Sequence, residues 1–200
     1  VEAQLKPHGF MLGHFPQSWE LSTVGGWVAS RSSGQQSLRY GRIEQLFAGG
    51  RIETTEGTLE IPTIPASSAG PDIREMIMGS EGRMGIITDV KVRVSQLPES
   101  EKFYVGFLPN WADAQAAVRA LVQNRVPLSM VRLSNEIETA TQVRLATNPA
   151  VVNVMDRLLK LRGAGDEKCM ITFGVTGSKQ QCSAAFDQAI DACANALGHL

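Results

Sequence analysis

Two glycine-rich segments carry the residue types that could hold a phosphate-bearing ligand. The first reads Ser-Thr-Val-Gly-Gly over residues 22–26, and the second reads Gly-Ser-Glu-Gly-Arg-Met-Gly over residues 79–85. Glycine accepts positive φ and lets a ligand approach the backbone closely, and successive N–H groups at a helix start can bind phosphate oxygens. The glycine spacing alone also fits a tight turn, and neither segment matches a P-loop or a Rossmann fingerprint. A diphosphate site is therefore one of two hypotheses at this point.

The elements that must position the first segment are a helix and a hairpin. Ser22 or Thr23 can cap a short helix that begins at Val24. The pattern then predicts a hairpin over residues 43–61, with its turn at Glu56-Gly57. The helix begins within the first segment, and the hairpin follows later in the chain.

The second segment lies between a short helix and a strand. Asp72 can cap a helix over residues 73–78, and valines alternate with charged residues over residues 90–94, which indicates a half-buried strand. The polar, proline-bearing residues 97–101 suit a domain boundary, which we place near Pro98.

The second half of the chain has the order β-α-β, α, β-α. Strands are predicted over residues 103–107, 128–133 and 168–175, and Ser178 and Gly198 are expected to bound the last helix. A ferredoxin-like sheet built from a split β-α-β unit needs a fourth strand after this helix. We therefore expect an incomplete ferredoxin-like domain and a chain that is a piece of a longer enzyme.

Composition excludes several classes of function. Nineteen Lys and Arg against twenty Asp and Glu give a net charge of -1, which does not favour a nucleic-acid partner. No apolar run approaches the roughly 20 residues that cross a bilayer, so a cytoplasmic protein is expected. Three cysteines without metal-type spacing argue against a disulfide framework and a metal site.

Four stretches stand out when they are taken together and in order: residues 16–34, which include Pro-Gln-Ser-Trp-Glu-Leu-Ser-Thr-Val-Gly-Gly-Trp, and residues 39–44, 70–73 and 78–82. They closely resemble the alkyldihydroxyacetonephosphate synthase family, flavoproteins of the vanillyl-alcohol-oxidase type. The resemblance is strong over about residues 10–98 and rests on element order beyond them. It implies an α+β fold, with the C-terminal part of an FAD-binding domain over residues 1–98 and a partial ferredoxin-like cap domain over residues 99–200.

The resemblance implies FAD as the cofactor and three stretches of residues that line its site. They are Gln17, Ser18, Trp19, Glu20, Leu21, Ser22, Thr23, Gly25, Gly26, Ser30, Arg31, Ser32, Ser33, Gly79, Ser80, Glu81, Gly82, Arg83, Met84, Gly85 and Ile87. The short hydroxyl side chains and the glycine backbone are suited to a diphosphate.

Three features distinguish this chain within the resemblance. Trp27 and Arg31 favour the synthase over related enzymes that oxidise 2-hydroxy acids. Arg83-Met84 stands where the family usually has Thr-Leu. Ala-Gly-Gly over residues 48–50 offers little side-chain packing within a predicted strand. The family's catalytic side chains would lie beyond Leu200, so no catalytic residue is assigned.

The resemblance implies an enzyme that exchanges the acyl chain of acyl-dihydroxyacetone phosphate for a fatty alcohol, as in ether-lipid synthesis. One alternative is an FAD-dependent 2-hydroxyacid dehydrogenase, and another is a non-catalytic module that binds a small molecule. The substrate is then a small lipid or hydroxyacid, a homodimer is left open, and a eukaryotic source would imply a peroxisomal location.

Several individual side chains that could carry chemistry are expected to have ordinary structural roles. His14, beside the first segment, is expected to be a loop histidine in solvent. Trp111 and the pair Phe103-Tyr104 are expected to fill the core of the second domain.

Overall fold

The computed structural model describes residues 1–65, 67–146 and 148–197, which fold as two compact units, Val1–Leu97 and Pro98–Leu200. The helices are α1 (Glu2–Leu5), α2 (Val24–Ala29), α3 (Ser37–Tyr40), α4 (Ile43–Leu46), α5 (Ile73–Ile77), α6 (Trp111–Gln123), α7 (Glu136–Ala146), α8 (Pro149–Leu161) and α9 (Lys179–Leu197). The strands are β1 (Phe10–Met11), β2 (Phe47–Thr54), β3 (Gly57–Ile61), β4 (Ile86–Val92), β5 (Ser95–Gln96), β6 (Ser100–Leu108), β7 (Met130–Ser134) and β8 (Cys169–Gly177).

The first unit is built on a three-stranded antiparallel sheet in the order β3-β2-β4. Apolar side chains of the sheet and of helices α2, α4 and α5 form its core, among them Val28, Ile43, Ile52 and Ile77. Helix α2 packs against β4, and the small pair β1-β5 is also antiparallel. This packing places the start of α2 beside the start of β4.

The predicted hairpin forms, but its first strand is shorter than expected. Ile43–Leu46 is helical, because the spacing of its two apolar residues suits one turn and the backbone N–H of Arg42 donates to Gln45 Oε1 at 2.9 Å. The strand begins at Phe47 and continues through the two glycines that follow, with a register shift at Gly49. The glycines keep the strand in the sheet, because a side chain at Gly50 would press on the backbone of β4.

The second unit has an antiparallel sheet in the order β6-β8-β7, with the order of elements predicted from the sequence. Helices α6 and α9 pack on each other and on the sheet. Small buried residues allow this close approach, namely Ala114 and Ala117 on α6 and Ala185 and Ala189 on α9. The predicted helix stop at Gly198 lies outside the described residues.

Two aromatic residues do not fill the second core as expected. Phe103 and Trp111 are exposed, since Phe103 alternates outward on β6 and Trp111 is the first residue of α6. Tyr104 does pack inward, with ring centroids 5.3 Å from Phe173 and 4.4 Å from Phe186. Among the described residues, no helix is long and apolar enough to cross a membrane.

Candidate functional site

The second glycine-rich segment is attached to the C-terminal end of α2, the helix whose N-terminal end is formed by the first segment. The N–H of Gly79 donates to the carbonyl of Val28 at 3.2 Å, and the N–H of Glu81 donates to the carbonyl of Ala29 at 3.0 Å. At the other end of α2, Thr23 caps the helix by accepting a 3.1 Å hydrogen bond from the N–H of Gly26. Residues far apart in the chain are thus joined through the backbone of one short helix.

The side chain of Arg31 connects the residues around this junction. Its Nε donates to the carbonyl of Met78 at 3.1 Å, and its guanidinium also contacts the carboxylates of Glu75 at 2.7 Å and Glu44 at 3.3 Å. The hydrogen bond with Glu75 raises the pKa of Arg31 above its ordinary value, so the side chain stays charged. The predicted cofactor residue Arg31 therefore holds protein groups with its guanidinium.

The turn over residues 79–82 needs an unusual backbone. Gly79, Glu81 and Gly82 have φ values of 77°, 51° and 85°, in the left-handed region that glycine tolerates best. A Cβ at Gly82 would meet no atom within 4 Å, so the backbone there faces open space. The turn can therefore be approached closely by another molecule.

The exposed turn over residues 17–21 is anchored to α2 through Ser22. The indole Nε1 of Trp27 donates to Ser22 Oγ at 2.7 Å, and Ser22 Oγ donates to the carbonyl of Ser18 at 2.7 Å. Leu21 is 94% exposed, and Gln17, Trp19 and Glu20 are also exposed. These residues are not packed in the core, which leaves their side chains accessible.

The segment that enters β4 lies beside Gly25. A Cβ at Gly25 would stand 3.4 Å from the carbonyl oxygen of Ile87 and 3.5 Å from its Cβ. Arg83 and Met84 are exposed in the turn before the strand, while Gly85 is pressed against β2. The structure thus brings together residues 22–33 and 79–87.

His14 is buried, which corrects the expectation of a histidine in solvent. It is only 1% exposed, because the loop after β1 folds under α2. Its Nε2 lies 2.7 Å from Ser32 Oγ, and its ring centroid lies 5.2 Å from that of Trp27. The surrounding sequence, Phe-Met-Leu-Gly-His-Phe over residues 10–15, is apolar enough to have signalled this burial.

Replacing Thr23 with alanine is expected to lower the free energy of unfolding of the first unit by about 1 kcal/mol, because the N-cap acceptor is lost. Urea denaturation measures the loss, and Thr23→Ser, which keeps the hydroxyl, is the matched control. Equal losses in both variants would show that the cap hydrogen bond does not stabilise α2.

The stability of the first unit is expected to fall in mild acid because of His14. Burial lowers the pKa of His14 below 6.5, so the unfolded chain takes up a proton at a pH where the folded chain does not. The stability that depends on a neutral His14 is fully present above pH 6.5. It is lost as the pH falls from 6.5 through the lowered pKa of His14 in the folded protein. Urea midpoints at about pH 8 and about pH 5 should therefore differ more for wild type than for His14→Gln. Equal differences in the two proteins would contradict this assignment.

Comparison with known protein families finds a match for each half of the chain. Residues 1–61 match an FAD binding domain family, and residues 97–199 match the C-terminal domain of FAD linked oxidases. The described residues contain no cluster of three or more His, Cys, Asp or Glu side chains that could hold a metal ion.

Individual relatives point in the same direction. The chain is 39% identical over 150 residues to an alkyldihydroxyacetonephosphate synthase of Dictyostelium discoideum, which covers 75% of this chain and 24% of that protein. It is 29% identical over 119 residues to a mitochondrial D-lactate dehydrogenase (cytochrome) of Arabidopsis thaliana, covering 58% of this chain and 21% of that one.

A solved structure of alkyldihydroxyacetonephosphate synthase superposes on this chain with a TM-score of 0.85 and 31% sequence identity. The superposition covers 98% of this chain and 36% of the solved chain. The chain therefore spans about a quarter to a third of the length of these synthases.

Proposed function

This chain belongs to the FAD-linked oxidases, and we propose that it forms the FAD-binding part of an ether-lipid enzyme similar to alkyldihydroxyacetonephosphate synthase. Such an enzyme exchanges the acyl chain of acyl-dihydroxyacetone phosphate for a fatty alcohol. The substrate in this proposal is a small lipid molecule that carries a phosphate group.

The similarity to the synthases, the α+β fold class and the cofactor, FAD, are confirmed predictions. The matched families are an FAD binding domain and the C-terminal domain of FAD-linked oxidases, and the superposed synthase has the same arrangement of helices and strands. The family consists of flavoenzymes, so the cofactor supplies the electron chemistry when it is bound. The protein supplies binding, orientation and the exclusion of water.

The observation that carries the proposed cofactor site is the junction at α2, where the second glycine-rich segment is attached to the C-terminal end of the helix that begins in the first segment. Hydrogen bonds from Gly79 and Glu81 hold the second segment against the carbonyls that end this helix. The open backbone at Gly82 and the exposed hydroxyls of Ser30 and Ser33 are then on segments fixed to each other.

The residues at this junction fit FAD. A diphosphate needs several N–H and O–H donors that can be approached closely, and glycine and serine offer them with little steric hindrance. A side chain at Gly82 would occupy open space that a ligand can enter. We assign the flavin contacts to residues 17–23, 25–26, 30–33 and 79–87, with Arg31 acting on its neighbours.

A groove in the second unit favours the synthase over a hydroxyacid dehydrogenase. It has a volume of about 500 Å³, and most of its lining is apolar, including Val105, Phe107, Val143, Met155 and Met170. A fatty chain gains free energy from burial against such a surface, in proportion to the apolar area removed from water. A two- or three-carbon hydroxyacid has little such area to bury.

The experiment that tests the cofactor site is a fluorescence titration of FAD with this protein, with riboflavin as the control. Riboflavin lacks the diphosphate, so quenching of FAD and not of riboflavin is the expected result. Equal quenching of both ligands would place the contacts on the ring system and remove the diphosphate from the two glycine-rich segments.

Absence of quenching at high protein concentration needs one more measurement. The titration is then repeated with a longer version of the protein that is extended at its N-terminus. Binding by the longer protein would show that further residues complete the site. No binding by either protein would favour the non-catalytic module and overturn the proposal.

A second assay separates the two enzymatic candidates. The full-length enzyme is incubated with acyl-dihydroxyacetone phosphate and a fatty alcohol, and in parallel with 2-hydroxy acids and a dye acceptor. Release of fatty acid without dye reduction supports the synthase. Formation of a ketoacid with dye reduction supports the dehydrogenase instead.

A further inference from the structure

We infer that His14 is a positioning residue of the flavin site, a neutral imidazole whose Nε2–H donates to Ser32 Oγ and directs the Ser32 proton toward FAD. The inference rests on the proposed function for its ligand. The histidine itself lies beneath the site and does not touch the cofactor in this proposal.

The first step is the one-sided environment of the imidazole ring. Nε2 lies 2.7 Å from Ser32 Oγ, whereas Nδ1 is buried and has no hydrogen-bond partner in the part of the chain that the structure describes. On the Nδ1 side the chain passes close by at Gly34, where even a Cβ would lie 3.3 Å from this nitrogen. Of the two ring nitrogens, Nε2 has a polar partner and Nδ1 has none among the described residues.

This asymmetry selects the tautomer. A neutral histidine carries its proton on one nitrogen and accepts at the other. If the proton were on Nδ1, a buried N–H donor would have no acceptor, and such orphaned donors are rare in folded proteins. With the proton on Nε2, the unpaired group at Nδ1 is an acceptor, which proteins tolerate more often. Burial also lowers the pKa of His14, which keeps the ring neutral at physiological pH.

The tautomer fixes what Ser32 can do. A serine hydroxyl has one proton to donate and two lone pairs that accept. When His14 donates to it, one lone pair is used and the proton remains available to a ligand. The side chain of Ser32 is partly exposed, and its backbone is held by hydrogen bonds to Trp27 and Ile43, so the direction of this donor is constrained. Ser32 is therefore prepared to donate to an oxygen or nitrogen acceptor of FAD.

Nuclear magnetic resonance tests the tautomer without any cofactor. The chain has three histidines, so spectra of protein with ¹⁵N-labelled histidine are assigned by comparison with His14→Gln. We expect the ¹⁵N shifts of a neutral ring with its proton on Nε2 at neutral pH. A proton on Nδ1, or a doubly protonated ring at neutral pH, would overturn the inference.

The affinity for FAD tests the role of Ser32. Ser32→Ala is expected to weaken FAD binding about tenfold, because a hydrogen bond to a charged or strongly polar acceptor is lost. His14→Leu should weaken binding to a similar extent, and adding it to Ser32→Ala should have no further effect. His14→Gln keeps an N–H donor near the position of Nε2 and should retain most of the affinity. Ile61→Val, a buried substitution in the same core, controls for a general loss of packing.

The outcomes separate the two proposals. Independent, multiplicative losses in the double variant would show that His14 does not act through Ser32, and failure of His14→Gln to restore binding would argue for packing alone. If wild-type protein binds no FAD even when extended, the proposed function is wrong. The tautomer measured by resonance still decides whether His14 prepares Ser32 as a donor.

Discussion

Alanine at Gly85 is expected to destabilise the first unit by roughly 4 kcal/mol, since a strained φ and an overpacked contact each cost about 1–3 kcal/mol. Gly85 has a φ of 129°, and its Cβ would press on the backbone oxygen of Glu53 and stand 2.9 Å from Ile52 Cγ2. Both neighbours belong to β2, the central strand of the sheet, which cannot move away without breaking its pairing. Urea denaturation followed by tryptophan fluorescence measures the loss, because Trp27 is in this core.

Gly57 provides the matched control for Gly85. Its φ of 126° is nearly the same, but a Cβ there would meet no atom within 4 Å. Gly57→Ala therefore reports the cost of the backbone conformation alone, about 1–3 kcal/mol. If the two alanine variants lose the same stability, the close contact with β2 has no energetic effect and the role assigned to Gly85 is wrong.

Methionine at Arg31 is expected to weaken FAD binding about tenfold or more while leaving the fold intact. The guanidinium connects the carbonyl of Met78 with the carboxylates of Glu75 and Glu44, so its removal frees the start of the turn over residues 79–82. The turn keeps its backbone hydrogen bonds to Val28 and Ala29, but the carbonyl of Met78 just before it loses its side-chain partner, and the proposed cofactor contacts would lose their alignment. Fluorescence titration with FAD measures the change.

Arg51→Met is the control for this change of charge. Like Arg31, Arg51 forms a salt bridge with a glutamate, in this case Glu60. This pair lies on the exposed surface of the hairpin β2-β3. Arg51→Met should therefore leave FAD affinity unchanged. Arg31→Lys should fall between wild type and Arg31→Met, since an ammonium group cannot reproduce the planar set of donors. Equal FAD affinities for Arg31→Met and Arg51→Met would contradict the role assigned to Arg31.

Local signals in the sequence predicted those elements whose boundaries are set by neighbouring residues. Thr23 and Asp72 each cap the helix that was expected after them, with a side-chain acceptor on a backbone N–H. A tight turn joins the two paired strands of the hairpin as expected, at Thr55-Glu56, one residue earlier than the predicted Glu56-Gly57. Capping and turn formation depend on a few adjacent residues, so these features can be recognised without knowledge of the tertiary structure.

Features that depend on distant residues could not be recognised in the same way. His14 is buried because residues from α2 and the following loop pack over it, and the apolar sequence around the histidine, although it indicates burial, does not reveal which distant residues provide that cover. The role of Arg31 depends on Glu75 and Met78, more than 40 residues away. The assignment of individual residues to FAD stays a prediction, which rests on the resemblance and on the junction at α2.

The order β6-β8-β7 has a consequence for how the second unit is synthesised and folds. The central strand, β8, is the last of the three to leave the ribosome, and neither β6 nor β7 has a strand partner in the described residues until it does. Pairs such as Ser100 with Gly177 close a long loop, which slows folding because chain entropy is lost before the contacts form. The apolar strands of a nascent chain are thus exposed for the time taken to translate about 70 residues, several seconds at ordinary rates of elongation. Protection by chaperones during that interval should matter more for this unit than for the first, whose sheet is assembled from consecutive strands.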